Sequence, residues 1–447
     1  MTECSQLVLG FHPDFPVHLV CNAPETSSDG GALLLRQVDD RLGLLSRLSA
    51  IIPDGRDPAR IEHSRLEQMR QRVFQIALGY EDCNDARWLR FDPVLQMVCD
   101  RLPGDQRGLS SQPSLSRLEN CLDWKAAKRF LRMLEEQYVS SFTEDPKVVI
   151  FDIDTTDDPT HGHQQLSFFH GFYDQHMYHP VLIFDGVTGQ LVTALLRPGN
   201  THAARGSMGV LRRIIRALKR RFPKVAVVVR GDSGFAMPRL MEMLEALNRE
   251  LGDVDYLFGM AKNPVLLELG APVLATANEL FHWRHAHVRH FGEFGYAAKT
   301  WSHQRRIIMK AERMPQGENP RFVVTTIEGF SPELLYDAYC ERGQCENLIK
   351  DFKNALNADR LSCSTFIANF FRLLEHAAAY VLMHELRLQA GVHASELAKV
   401  QMDTLRLRLL KVAAHVTRSA RRILVRLPKA FPMAAAFCAV SLKLSSA

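Results

Sequence analysis

Four acidic side chains, set at strand ends and on one helix face, hold most of the chemical information in this sequence. Asp152 and Asp154 lie two residues apart in Val149-Ile150-Phe151-Asp152-Ile153-Asp154-Thr155-Thr156, and the two-residue period of a strand puts both carboxylates on one face. Unpaired carboxylates lose hydration inside a sheet, so a cationic partner is expected to face them. Asp232 follows the apolar run Val225–Val229 through Arg230-Gly231 and precedes Ser233-Gly234. That places it at a strand's carboxyl end, where α/β proteins put ligands. Singly, an acid after a strand is more often a turn former or helix cap. The remaining acid is Glu346. At about 100° per residue, Tyr339, Arg342, Glu346, Lys350 and Lys353 share one polar helix face, with Cys345, Leu348, Phe352, Ala355 and Leu356 opposite. On pattern alone such a face is first a solvated one, Glu346 and Lys350 forming an i,i+4 pair.

The elements that must position these residues divide the chain. Residues 1–143 read as a helical region: Gly31–Ile52 shows helical spacing, Asp57 and Pro58 open a second helix, Ser116-Arg117-Leu118-Glu119 matches a capping box, and Trp124–Tyr138 is helical. Residues 144–261 alternate strands and helices: Val148–Ile153, a hairpin turning at Asp185-Gly186 or Thr188-Gly189 into Leu191–Leu196, a helix over 206–222, Val225–Val229, a helix over 238–251, and Tyr256–Met260. Residues 262–329 carry aromatic and β-branched segments and read as a β-rich insertion. Helices return over 330–390, and 391–447 is a basic region with a hairpin of Leu405–Val412 and Arg421–Leu427.

At 447 residues this is a multidomain length. Its 46% hydrophobic and 23% charged residues are those of an ordinary globular protein, which excludes global disorder. No uninterrupted apolar run of about 20 residues stands out and no secretory leader is legible, so the expectation is a cytoplasmic protein outside any membrane. Nine scattered cysteines without a C-x-x-C pair read as free thiols. A net charge of +5 is compatible with nucleic acid, as are Arg205–Arg221 and Arg406–Lys429, which hold seven and eight basic residues and no acid. Each is equally legible as a solvated face. Six histidines between His161 and His202 are assigned to polar loop and strand roles rather than to zinc.

Tyr339, Arg342, Glu346 and Lys353 match, spacing for spacing, the Y-R-E-K signature of DDE transposases of bacterial insertion sequences. Asp152-Ile153-Asp154-Thr155-Thr156-Asp157-Asp158-Pro159-Thr160-His161-Gly162, Arg230-Gly231-Asp232-Ser233-Gly234-Phe235 and Gly79-Tyr80-Glu81-Asp82-Cys83-Asn84-Asp85 resemble the subgroup called DDE group 1. The likeness covers most of the chain. It implies an α/β, ribonuclease H-like core interrupted by the insertion, behind an N-terminal helical DNA-binding region. It also implies catalytic, metal-holding acids at Asp154, Asp232 and Glu346, with Asp152 the competitor for the first place. Mg²⁺, for which Mn²⁺ can substitute, would be the cofactor, suited to oxygen ligands and to in-line displacement at phosphorus.

The same resemblance implies phosphate contacts from Tyr339, Arg342 and Lys353, and base stacking on Trp301, for which a core role is equally open. Partners would be double-stranded DNA, as terminal inverted repeats and target, and a second copy in a homodimeric synaptic complex, in a bacterial, nucleoid-associated setting. The expected activity is cleavage at element ends and transfer of 3′-hydroxyls into target DNA. Two rivals are a ribonuclease H-like nuclease without joining and a catalytically silent DNA-binding descendant.

Overall fold

The computed structural model describes residues 7–9, 11, 13–20, 23 and 25–445. The described cysteines are free; Cys4 and Cys21 lie outside the described residues. Two compact units form, residues 1–118 with 385–447, and residues 119–384.

The second unit holds the acids. After helix α1 (Trp124–Ser140) come strands β1 (Val148–Thr155), β2 (Asp158–Pro159), β3 (Phe168–His170), β4 (Gln175–Tyr178), β5 (Val181–Asp185) and β6 (Leu191–Leu195). Helix α2 (Ser207–Arg221), β7 (Ala226–Gly231), α3 (Pro238–Leu251) and β8 (Val254–Met260) follow. Then come α4 (Pro264–Leu269), α5 (Ala271–Arg284), β9 (Val288–Tyr296), β10 (Arg305–Met314), β11 (Gly317–Glu318), β12 (Arg321–Thr325), α6 (Pro332–Cys340), α7 (Gly343–Lys350) and α8 (Phe366–His393).

One nine-stranded sheet runs β9-β10-β12-β8-β7-β1-β5-β6, with β11 on β10. Only β1, β7 and β8 pair in parallel. Their runs, such as Val227 and Val229 beside Val149, Phe151 and Ile153, are buried, as a sheet covered by helices requires. Leu211, Ile214, Ile215 and Leu218 of α2 and Leu240, Met241, Leu244 and Leu247 of α3 supply the cover. This mixed α/β architecture is consistent with the ribonuclease H-like expectation.

Several local expectations change. Residues 262–329 contain strands, but these continue the core sheet, β12 pairing with β8, and two helices precede them. Helix α5 escaped notice because Ala277 is its only buried residue, so no apolar stripe marks its period. Residues 332–355 are not one helix: α6 and α7 break at Glu341–Arg342, and a π-helical turn, Asp351–Ala355, follows. Helix α8 is long and apolar enough to cross a bilayer, yet 89% of its most apolar window is buried within the protein.

In the first unit Asp57 caps only a single 3₁₀ turn, Pro58–Arg60, and the helix proper, Arg65–Ala77, starts after Ser64, whose hydroxyl accepts from Glu67 N. Ser116 lies inside the helix Gln112–Glu119 rather than capping one; in the second unit Asp123 is the true cap, accepting from Ala126 N ahead of α1. Residues 391–447 do not stand alone: Ala414–Arg418 pairs with both Ile423–Arg426 and Thr26–Ser27, and Lys411 reaches Asp29 at 2.6 Å. The expected strand over 405–412 is helical through Leu410.

Candidate active site

Strand β1 carries Asp152 and Asp154 on one face, and each meets its own guanidinium. Asp152, fully buried, accepts from Arg230 Nε at 2.5 Å and Nη2 at 2.7 Å. The two residues are direct neighbours in the β1–β7 register. Burial pushes the Asp152 carboxyl up and Arg230 pulls it back. Arg230 Nη1 also donates to Ala338 O, tying α6 to the sheet. Gly186 packs against this pair, and a Cβ there would meet the Asp152 carboxylate and the Arg230 guanidinium and force one of them to shift.

Asp154, near the end of β1, accepts from Arg342 Nη1 at 2.9 Å through Oδ2 and from Thr155 N at 2.8 Å through Oδ1. Burial raises its pKa to about 6; Arg342 opposes the rise, and the negative charges of Asp232 and Glu346 add to it. Asp232 caps the short turn after β7, its Oδ1 accepting from Gly234 N at 2.9 Å. Glu346 stands exposed in the first turn of α7, held by the inward Cys345 and Ile349. The charges of Asp232 and Glu346 thus bear on Asp154, whereas Asp152 is held in a closed ion pair of its own.

The basic and aromatic members of the helix face gather at the same place. Arg342 lies 6.0 Å from the Tyr339 ring centre. Tyr339 packs so closely on Gly259 of β8 that a Cβ there would strike its hydroxyl. Lys353 pairs with Asp157 at 2.7 Å and approaches Asp359 at 3.8 Å. Beside Asp232 opens a cleft of ≈ 510 Å³ lined by Ser233, Lys262, Arg321, Tyr336 and Tyr339, among others. Trp301 is elsewhere: it packs edge-on against Tyr296 at 5.3 Å and under the buried Arg305, which pairs with Glu245 at 2.6 Å. Its neighbours are core residues rather than the acids. Three residues of Arg205–Arg221 serve local contacts, Arg213 binding Glu135, Arg216 binding Glu250 and Arg221 two carbonyls, and Lys219 is buried.

Asp154, Asp232 and Glu346 offer only oxygen donors, which fits a hard divalent cation. Burial is the main cause of the raised Asp154 pKa, with the negative charges of Asp232 and Glu346 adding to it, and a cation bound there would favour the ionised carboxylate. Among the described residues no three Asp, Glu, His or Cys side chains form a ready-made metal cluster, and Arg342 is the counter-charge on Asp154. Sequence reasoning expected a cation opposite the paired acids but missed that it would be two arginines. The signal was there for Arg230, a charged residue continuing an apolar strand. Asp157, which receives Lys353, had no distinguishing pattern.

A family model described as "Transposase DDE domain group 1" matches residues 14–447. No curated protein matches the sequence. Among solved structures, the piggyBac transposase synaptic complex with hairpin DNA resembles the chain with a TM-score of 0.42 and 10% identity, over 85% of this chain and 78% of that one. The Mos1 transposase paired-end complex with left transposon end gives a TM-score of 0.17 and 13% identity, over 52% and 74%. These two likenesses are too slight to add to the family match, which spans nearly the whole chain.

Proposed function

Since the chain belongs to the transposase DDE domain group 1 family and is a DNA transposase, we propose that Asp154, Asp232 and Glu346 are its catalytic carboxylates and hold Mg²⁺ or Mn²⁺ against the scissile phosphodiester. What supports this assignment is the placement of Asp154 and Asp232 at the ends of the neighbouring strands β1 and β7 and of Glu346 on α7, 192 residues of chain beyond Asp154, with the charges of Asp232 and Glu346 bearing on Asp154. A bound divalent cation would supply Lewis-acid stabilisation of charge at phosphorus and ease ionisation of the attacking hydroxyl. The protein's own residues do the positioning. Arg342 is placed to exchange the Asp154 carboxylate for a substrate phosphate, which a guanidinium can grip with two parallel hydrogen bonds. Lys353, fixed by Asp157, offers a second positive charge, and Tyr339 closes the side next to Asp232.

On this proposal the protein acts as a homodimer on two element ends, in the cytoplasm with the nucleoid DNA. Glu346→Gln is expected to abolish divalent-metal-dependent cleavage of a labelled duplex spanning an element end while end binding by gel shift persists. Cutting at the wild-type rate by that variant overturns the role of Glu346. Incubation of pre-cut 3′-hydroxyl ends with plasmid separates a transposase, which joins them, from a nuclease, which does not.

A further inference from the structure

Strands β1, β7 and β8 run parallel and β12 runs antiparallel to β8. The carboxyl ends of the first three and the start of β12 therefore share one edge of the sheet, in the order β1-β7-β8-β12. That edge carries Asp154 on β1, Asp232 directly after β7, Lys262 two residues after β8 and Arg321 at the first position of β12. Neighbouring strands lie about 4.8 Å apart, so the lines of β8 and β12 pass about 5 and 10 Å from that of β7. Two acids are followed along the edge by two cations.

Asp232, Lys262 and Arg321 all line the cleft of ≈ 510 Å³. Its wall on α6 is fixed. The Tyr336 and Tyr339 ring centres are 6.1 Å apart, and the buried Tyr336 packs on Phe291 at 5.7 Å and under Lys310 Nζ at 5.4 Å. Lys310, the cross-strand neighbour of Arg321, is itself neutralised by Glu312 at 2.8 Å. Arg342 and Lys353 are likewise paired, with Asp154 and Asp157 on the β1 side. Lys262 and Arg321 differ: both are exposed, and neither makes a hydrogen bond or ion pair among the described residues. An exposed cation is ordinarily only solvated, but these two face a cleft that opens on Asp232.

We propose that Lys262 and Arg321 grip, through its phosphates, the strand that bears the reacting phosphoryl group on its 5′-oxygen: the flank during cleavage, then the target during joining. In cleavage, water loses a proton and its oxygen bonds to phosphorus, while the bond to the element's 3′-oxygen breaks and that oxygen takes up a proton. In joining, the 3′-hydroxyl loses its proton and bonds to a target phosphorus, while the target's own 3′-oxygen departs and is protonated. The bond from phosphorus to the 5′-oxygen survives both steps, so one groove beside the acids serves two successive occupants. Phosphate contacts carry no sequence information, which suits a strand whose sequence changes with every insertion. The inference rests on the transposase function and on the acids' assigned place, and adds two residues that neither requires.

The test uses the full-length protein and a duplex spanning the element end and its flank, with or without uncharged methylphosphonates at the first two flank linkages beyond the scissile one. Lys262→Ala/Arg321→Ala is expected to keep the wild-type unfolding midpoint and to slow both cleavage and the joining of pre-cut ends to plasmid on the order of tenfold. The slope of its log affinity against log salt should be shallower by about two. Uncharged linkages should slow wild type to a similar degree and the double variant no further, as expected when linkage and side chains make one contact. Lys262→Arg/Arg321→Lys should retain most of both activities. A double variant as fast as wild type, a wild type indifferent to the uncharged linkages, or losses that add overturns the inference. So does a loss confined to one of the two reactions, or the same non-additivity with linkages on the element side instead. A wild-type protein that does not cut the unmodified duplex overturns the functional premise, and the inference with it.

Discussion

Replacing Asp152 by Leu leaves the Arg230 guanidinium, 2% exposed, with no carboxylate in reach of the two nitrogens that now grip one. Removing one partner of a buried ion pair costs about 3–5 kcal/mol, a large share of the ~5–15 kcal/mol that stabilises a domain. At a urea dependence of about 2 kcal/mol per M, the unfolding midpoint should drop by about 2 M. The double variant Asp152→Leu/Arg230→Met removes both charges and should recover most of that loss, since an apolar pair of similar volume replaces a buried ion pair at little or no cost. Urea titration followed by circular dichroism reads both. The double variant should nevertheless cleave poorly, because Arg230 also anchors Ala338 of α6, next to Tyr339, while metal binding at Asp154 persists. A single variant as stable as wild type, or a double variant no more stable than the single, refutes the structural role given to Asp152. Loss of metal binding in the folded double variant would return Asp152 to the catalytic set.

Further expectations can be checked independently. Gly259→Ala should displace the Tyr339 ring and reduce cleavage severalfold with a stability change of about 1 kcal/mol, read by parallel kinetics and melting. Divalent-metal affinity, measured by calorimetry, should fall about tenfold per pH unit below about 6, where Asp154 takes up a proton that a metal must displace. His179, buried beside Arg197, has its pKa lowered to about 4. Its contribution to stability is therefore complete above about 6.5 and is lost as pH falls towards 4, on the order of 3 kcal/mol; His179→Gln should lack this pH-dependent component in urea titrations at pH 7 and pH 4.5. Arg342→Lys should impair cleavage at saturating DNA more than Lys350→Ala, because only Arg342 reaches Asp154, and single-turnover rates compare them.

Much of the core could be read from the sequence because its elements carry strong patterns. Val148–Ile153 and Val225–Val229 are strands in the buried parallel part of a mixed sheet, and 206–222 and 238–251 are amphipathic helices; each is observed within a few residues. Of the inward set Cys345, Leu348, Phe352, Ala355 and Leu356, all but the half-buried Leu348 are buried as their spacing implies. Where the pattern was weak the reading failed. Helix α5 buries one side chain and has no stripe. Strands β3 and β4 are short, partly exposed and rich in histidine, so neither alternation nor apolar content marks them. The partners of Asp152, Asp154 and Lys353 lie 78, 188 and 196 residues away, distances at which only the completed fold identifies the pair.

The central claim is that Asp154, Asp232 and Glu346 together hold the ion that the reaction needs. Anomalous diffraction from crystals of the protein with an element-end duplex and Mn²⁺ addresses it directly. The account predicts manganese density about 2 Å from carboxylate oxygens of all three residues, with Arg342 released from Asp154 towards a phosphate. Manganese bound elsewhere, with the Arg342–Asp154 pair intact in a complex that cleaves when warmed, would contradict it.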